Sequence, residues 1–459
     1  MEFEEILGYH LEQAHRYLAE LGPLDAQGIA IGNDASRRLS SAAKRAFARG
    51  DMKSAATLFR RATTLLAAGD PLRTELLPAF GETLVSMGDF AGARAVIQEA
   101  RDTAARSANE RITASSQLVD IFLRLFSGES GDGIDAMMRT AHALIPGLER
   151  QQAHHELATA WRLIVLIHGI AGRYEMASEA AGRSIAHARL AGNDRLIAKI
   201  GGILSNTALL GRTPVLQAIA QCEQLIAGGL SDRQVEGNTI CVLAQLRAMN
   251  GELATARVLY QRGRSMLRDL ARGVNAAATG LDLARVELLG GDLMLAEREV
   301  RADFDFLARI GETYYLSSMA ALLSRVVRDL GRDAEALSLS LTAEKATAPD
   351  DLISQALWRA IRAPIIARAG GIAEAEGMAR SAVELLRASE APDLQADALS
   401  ELASVLCLAG KTDEALVASA DALALYEVKG NVVGAARARA FALELGAGTL
   451  APSATLTRA

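Results

Sequence analysis

Residues 88–100 read GDFAGARAVIQEA. A glycine, a turn residue, bulky Phe90 and then Ala93 lead into a run with apolar residues at 93, 96, 97 and 100. That spacing, i, i+3, i+4 and i+7, is the period of one helix face. The glycine ends the preceding helix, because a left-handed backbone is free of strain only without a Cβ. The alanine marks the place where two antiparallel helices come closest and a larger side chain would push them apart. The stretch therefore reads as helix, tight turn, helix.

Outward from it the pattern repeats. The anchors are Gly50, Gly88, Gly131, Gly172, Gly211, Gly251, Gly291, Gly331, Gly370 and Gly410, separated by 38, 43, 41, 39, 40, 40, 40, 39 and 40 residues. Five positions past them stand Ala55, Ala93, Ala136, Ala177, Leu216, Ala256, Ala296, Ala336, Ala375 and Ala415. Bulky closing residues two past the glycine recur at Met52, Phe90, Tyr174, Leu253, Leu293 and Ile372; Gly133, Thr213, Asp333 and Thr412 depart from this. A unit of about 40 residues leaves roughly 15–17 per helix, or about 25 Å of helix.

Breakers separate one hairpin from the next: Asp70-Pro71, Ile145-Pro146-Gly147, Gly192-Asn193, Gly228-Gly229, Ala348-Pro349, Ala391-Pro392 and Gly430-Asn431. Pro78 and Pro364 fall inside first helices, where kinks are expected. One hairpin cannot bury its own apolar face, so the units must stack. The expected fold is all-α: a right-handed solenoid of about ten hairpins over residues 27–445, with an extra helix in 1–26 and a frayed tail at 446–459. Its concave face should be lined mainly by the first helix of each pair, with polar, Arg/Glu-rich character. Leu216 and Pro214 mark residues 200–235 as an irregular joint.

Composition agrees. Half of the 459 residues are hydrophobic but only 4% are aromatic, which favours closely packed, alanine-rich helices. With 49 basic and 55 acidic residues the net charge is −6, unlike the basic footprint of a nucleic-acid binder. The acidic start, Met-Glu-Phe-Glu-Glu, and the lack of a long apolar run speak against a signal peptide or a membrane span. Cys222, Cys241 and Cys407 form no C-x-x-C pair and read as small buried hydrophobes in a reducing, cytoplasmic setting.

The glycine and alanine positions resemble the tetratricopeptide motif, in the longer-helix variant of the repeat region of maltose-regulator-type bacterial transcription activators. Three strings resemble the C-terminal region of bacterial adenylate/guanylate cyclases: EEILGYHLEQAHRYLAELGP (4–23), RRLSSAAKRAFARGDMKSAATLFRRATTLL (37–66) and ELLPAFGETLVSMGDFAGARAVIQEA (75–100). In that family a cyclase domain and an ATPase module precede tetratricopeptide repeats. The resemblance covers residues 4–100 and implies a regulatory end without the chemistry. No cyclase aspartate motif, Walker A or Walker B is found, so no catalytic residue carries over. The chain reads as a stand-alone derivative or a fragment of such a protein, with residues 1–26 a cap or the remnant of an ATPase-module junction.

The remaining motifs fall on the repeat itself. Gly410-Lys411-Thr412 ends like a Walker A, but Val405 stands where its first glycine belongs. GESGDG at 128–133 lacks the strand a phosphate loop needs. His154-His155-Glu156 has Thr159 in place of the second histidine of HExxH, and His10 and His15 diverge. No catalytic, cofactor-binding or metal-ligating residue is assigned. Tyr314, Tyr315 and Trp358, in first helices, are the candidate partner-binding aromatics; Phe304 and Phe306 read as packing.

The expectation is a non-catalytic scaffold or sensor that holds a protein or peptide on its concave face, with self-association a variant of this. It needs no cofactor, nucleic acid or membrane. Alternatives are the regulatory end of a cyclase/ATPase signalling protein, or a transcription regulator lacking its DNA-binding domain, since about a dozen residues after the last helix leave no room for a helix-turn-helix.

Overall fold

The computed structural model describes residues 2–107, 109–127, 133–229, 232–269 and 273–446. Helix α1 (Glu2–Leu21) precedes ten hairpins. These are α2 (Ala26–Ala48) with α3 (Met52–Thr64), α4 (Pro71–Met87) with α5 (Phe90–Ser107), α6 (Glu110–Ser127) with α7 (Gly133–Arg150), α8 (His154–Ile170) with α9 (Tyr174–Leu190), and α10 (Asp194–Leu210) with α11 (Val215–Ala227). The second half continues with α12 (Arg233–Met249) and α13 (Leu253–Asp269). A first helix broken at Thr279, α14 (Val274–Ala278) and α15 (Gly280–Gly290), then pairs with α16 (Leu293–Ile310). The last hairpins are α17 (Tyr314–Asp329) with α18 (Asp333–Ala346), α19 (Leu352–Arg368) with α20 (Ile372–Arg387), and α21 (Pro392–Leu408) with α22 (Thr412–Lys429); α23 (Val432–Gly446) follows. No strand occurs among the described residues. Most of the tail assigned to 446–459 lies outside them, as do Gly128 and Gly131.

The hairpin turns follow from their glycines. Gly50, Gly88, Gly172, Gly251, Gly291, Gly331, Gly370 and Gly410 all have φ between +67° and +95°. At Gly88 the chain reverses so that the Asp89 N–H donates back to the Leu84 carbonyl at 3.0 Å. The Asp89 carboxylate then caps α5 by accepting from the Gly92 N–H at 2.9 Å. Asp51 and Asp292 cap the next helix in the same way, so a Gly-Asp pair both stops one helix and starts another.

Two repeats depart from the expected register. Ala55, Ala93, Ala177, Ala256, Ala296, Ala336, Ala375 and Ala415 are wholly buried, but Leu216 is 67% exposed and Ala136 is only half-buried. Met137 and Ala218 take the helix-contact position instead, with Ile134 and Val215 three residues before them as buried closing residues. The turn after α10 is longer by two residues, which rotates α11, and in α7 the buried positions begin one residue late. Gly211 accordingly is not left-handed: its φ is −78° and its ψ −168°. Pro146 also corrects the sequence reading, because it lies within α7, not in a loop. Its neighbours Ile145 and Leu148 are buried and hold the last turn in place, while the exposed proline faces solvent. The reversal comes later, at Gln152 (φ 52°). Pro78 and Pro364 lie inside continuous helices.

The stack coils until its second turn rests on its first. The Ile134 N–H donates to Asp350 Oδ2, and the Glu175 N–H to Glu390 Oε2, across 216 and 215 residues. The Glu390 N–H donates to the Gly172 carbonyl at 2.9 Å. Lys429 is fully buried; its ammonium donates to the carbonyls of Ala208, Gly211 and Thr213 at 2.7–2.8 Å. These carbonyls end α10 and form the irregular turn after it, which the lengthened loop leaves without helical partners. Contacts at this separation place five to six repeats in each superhelical turn.

Candidate functional site

Coiling places the first helices of successive hairpins around an axial lumen, which holds two cavities. The larger, about 440 Å³, lies in the second turn and is lined chiefly by α10, α12, α15, α17, α21 and α23. Apolar positions such as Leu288, Leu322 and, on α19, Leu357 supply its walls, and charged residues interrupt them.

On α17, Arg325 and Arg328 face Asp393, Asp397 and Glu401 of α21, which are spaced one helical turn apart. Arg328 and Glu401 form a bidentate pair with both N···O distances 2.9 Å. Burial works against this guanidinium, yet Glu401 and Asp329 outweigh it and hold its pKa above the usual arginine value. Arg325 reaches Asp397 at 3.4 Å, and Tyr426 donates its hydroxyl to the other Asp397 oxygen at 2.6 Å. Among the described residues Asp393 accepts only from the Asn431 side-chain amide, at 2.6 Å. Burial, and then repulsion from Asp397, raise the Asp393 pKa to about 6. Two cations are left over. Arg437 donates to the Leu289 carbonyl at 3.1 Å and makes no ion pair among the described residues. Arg285 lines the cavity with neither a hydrogen bond nor an ion pair among them.

The smaller cavity, about 190 Å³, lies in the first turn. Glu82 accepts from Arg162 and Lys199, each at 3.2 Å. Burial raises the Glu82 pKa, but Lys199 and Arg162 outweigh this and leave it below the usual carboxylate value. Burial, and then Arg195, bring Lys199 down to about 7. Arg162 stacks on the Phe122 ring at 4.4 Å, and Arg195, over Phe47 at 4.2 Å, pairs with buried Asp232 at 3.3 Å.

Tyr314 and Tyr315 pack together at the seam between turns. Both rings meet Phe126 of α6, at 5.3 Å edge-on and 6.1 Å stacked, and Tyr315 also lines the smaller cavity. Trp358 lies apart, 4% exposed, among Ala320, Ala343 and Ile361, with Arg359 and Arg362 over its ring at 4.1 and 4.3 Å. Cys222 and Cys241 are buried and free; burial raises both thiols. His154 stacks on His187 with Nδ1 atoms 3.2 Å apart, and His155 contacts Asn193. Among the described residues no three His, Cys, Asp or Glu side chains converge as for a metal.

The lumen charges carried no motif. The signal present was periodic: acids at 393, 397 and 401 of one helix and arginines at 325 and 328 of another, all on the inward faces of otherwise apolar first helices.

No protein-family model and no curated protein sequence matches the chain. Among solved structures, a Rap protein complexed with competence and sporulation factor superposes with a TM-score of 0.55 at 11% identity, over 82% of this chain and 98% of that one. Human IFIT1, a dimer with PPP-AAAA, aligns at TM-score 0.47 and 13% identity over 96% and 95%. Yeast Tom70 aligns at 0.37 and 11% over 96% of both. The helical hairpins and the likeness to the Rap protein define the class: an all-α solenoid of tetratricopeptide-like repeats. No helix among the described residues is long and apolar enough to cross a membrane.

Proposed function

We propose that the chain is a non-catalytic interaction scaffold or sensor that holds a protein or peptide segment in its inner lumen. One observation carries this reading: the larger cavity combines apolar walls with charged groups, Arg285, Asp393 and Arg437, that make no ion pair among the described residues. Such a lining suits a ligand with both an apolar body and fixed polar ends. The Rap structure that shares the fold was solved with a bound factor, which accords with it. Tyr315, at the smaller cavity, is the sequence-named aromatic best placed to meet a partner. The free cysteines favour a reducing, cytoplasmic setting.

The test is selection from a displayed library of 12-residue peptides. Wild-type protein should enrich a consensus, and Ser404→Trp, which fills the larger cavity, should lose it while keeping the wild-type circular dichroism. No enrichment, or equal binding by the variant, would overturn the proposal.

A second reading is the regulatory end of a cyclase/ATPase protein. It rests on the resemblance over residues 4–100 and on α1, whose Ile6, Leu7, Tyr17 and Leu21 are exposed. An ATPase-coding segment in frame upstream of Met1 would favour it, and an unrelated gene there would remove it. Under both readings the purified protein turns over neither ATP nor GTP.

A further inference from the structure

We infer that the larger cavity is a site for a small zwitterion, a free di- or tripeptide, whose carboxylate meets Arg285 and Arg437 and whose ammonium meets Asp393. The inference rests on the lumen being the binding surface and adds the chemistry of what it takes.

Charge accounting inside the cavity leads there. Arg328 and Glu401 satisfy each other through two short hydrogen bonds. Arg325 and Asp397 are paired, with Tyr426 completing the carboxylate. What is left has opposite signs on different helices. Arg285 on α15 makes no ion pair among the described residues, although Asp282 and Asp393 lie within its field, and Arg437 on α23 bonds one neutral carbonyl within the field of Asp397 and Asp329. In the same cavity Asp393 on α21 has one neutral amide donor among the described residues. Lys429, which also attracts Asp393, has its ammonium committed to three backbone carbonyls.

The guanidiniums and the carboxylate share one cavity, where Arg285 attracts Asp393 without closing on it. Arg285 and Asp393 are half-buried and Arg437 is exposed; a half-buried charge has lost part of its hydration, so each pole gains from a ligand of opposite sign. A simple anion would meet the arginines but leave Asp393 opposed, and a simple cation would do the reverse. A molecule with both ends satisfies both. The arginine pole suits a carboxylate in particular, because a guanidinium can donate two parallel hydrogen bonds to it. Leu288, Leu322 and Leu357 supply apolar wall for the body of the ligand. At about 440 Å³ the space lies within the range of ordinary small-ligand pockets, roughly 300–1,000 Å³.

The experiment uses the full chain and a set of unblocked Ala-Xaa-Ala tripeptides, beside the same peptides with an acetylated amine or an amidated carboxyl. Thermal-shift measurements rank them and calorimetric titration measures the best. The expected result is a raised melting midpoint and saturable binding for at least one unblocked peptide, weakened about tenfold or more by either cap. Arg285→Gln and Asp393→Asn should each weaken it about as much. In Asp393→Asn, acetylating the amine should produce little further loss. None of the set binding, or capped and free peptides binding alike, would overturn the inference; the capped comparison needs no variant to fold. A 12-residue consensus lost in Ser404→Trp, with no tripeptide bound, would sink the zwitterion and leave the scaffold standing. Failure of both experiments would remove both.

Discussion

At the scale of single residues, the alanine five past each glycine is set by steric need. Ala256 and Ala375 have no exposed surface, so Ala256→Leu or Ala375→Leu should destabilise the fold by about 1–3 kcal/mol through overpacking. Leu216→Ala, at a position 67% exposed, should change it by less than about 0.5 kcal/mol. Urea denaturation of the three variants distinguishes a structural alanine from one that merely matches the spacing. The alanines were legible because their constraint is local, a few residues from the turn that creates it. The lumen was not: Arg328 meets its carboxylate partner Glu401 across 73 residues, and no spacing rule within a hairpin relates them. Leu216 breaks the series of alanines because counting from Gly211 assumes a turn of constant length, and Pro214 lies in a longer one.

At the scale of an element, the start of α17 carries a buried acid. Glu312 is fully buried and accepts from the backbone N–H groups of Tyr315 at 3.0 Å and Leu316 at 3.2 Å. Burial raises its pKa to about 7, against the pull of those N–H donors. The folded protein therefore holds this proton more tightly than the unfolded chain does. The associated stability is fully present below the ordinary glutamate value and is lost as pH rises through about 7. Glu312→Gln lacks the proton and so lacks the loss. Its stability relative to wild type should improve from pH 5 to pH 8, as read from urea midpoints at both; a gap that stays constant would show that Glu312 does not titrate on folding. Elements as such were read well from the sequence, because helix periodicity and capping residues are short-range. Pro146 shows where this stops: two buried neighbours keep α7 helical past a residue that ordinarily ends helices.

At the scale of the whole molecule, the seam between turns is what the sequence hid altogether, since its contacts join residues more than 200 positions apart. Lys429→Met leaves three carbonyls, two of them buried, without their donor and should destabilise the protein by about 3 kcal/mol. Combined with Asp350→Ala and Glu390→Ala it should let the second turn lift from the first, and small-angle scattering should record a larger radius of gyration. An unchanged radius would mean that apolar contacts alone, such as those of Phe126 with Tyr314 and Tyr315, hold the turns together. The seam also limits how such a gene can change. Repeat arrays ordinarily grow or shrink one unit at a time, because each unit answers only to its neighbours. In this chain, one unit duplicated between residues 211 and 429 would carry Lys429 past the carbonyls it serves and leave the clips of the following hairpins out of step. Length variants that stay folded should therefore add or remove units beyond the overlapped segment, or come in whole turns, so that the number of repeats behaves as a selected trait.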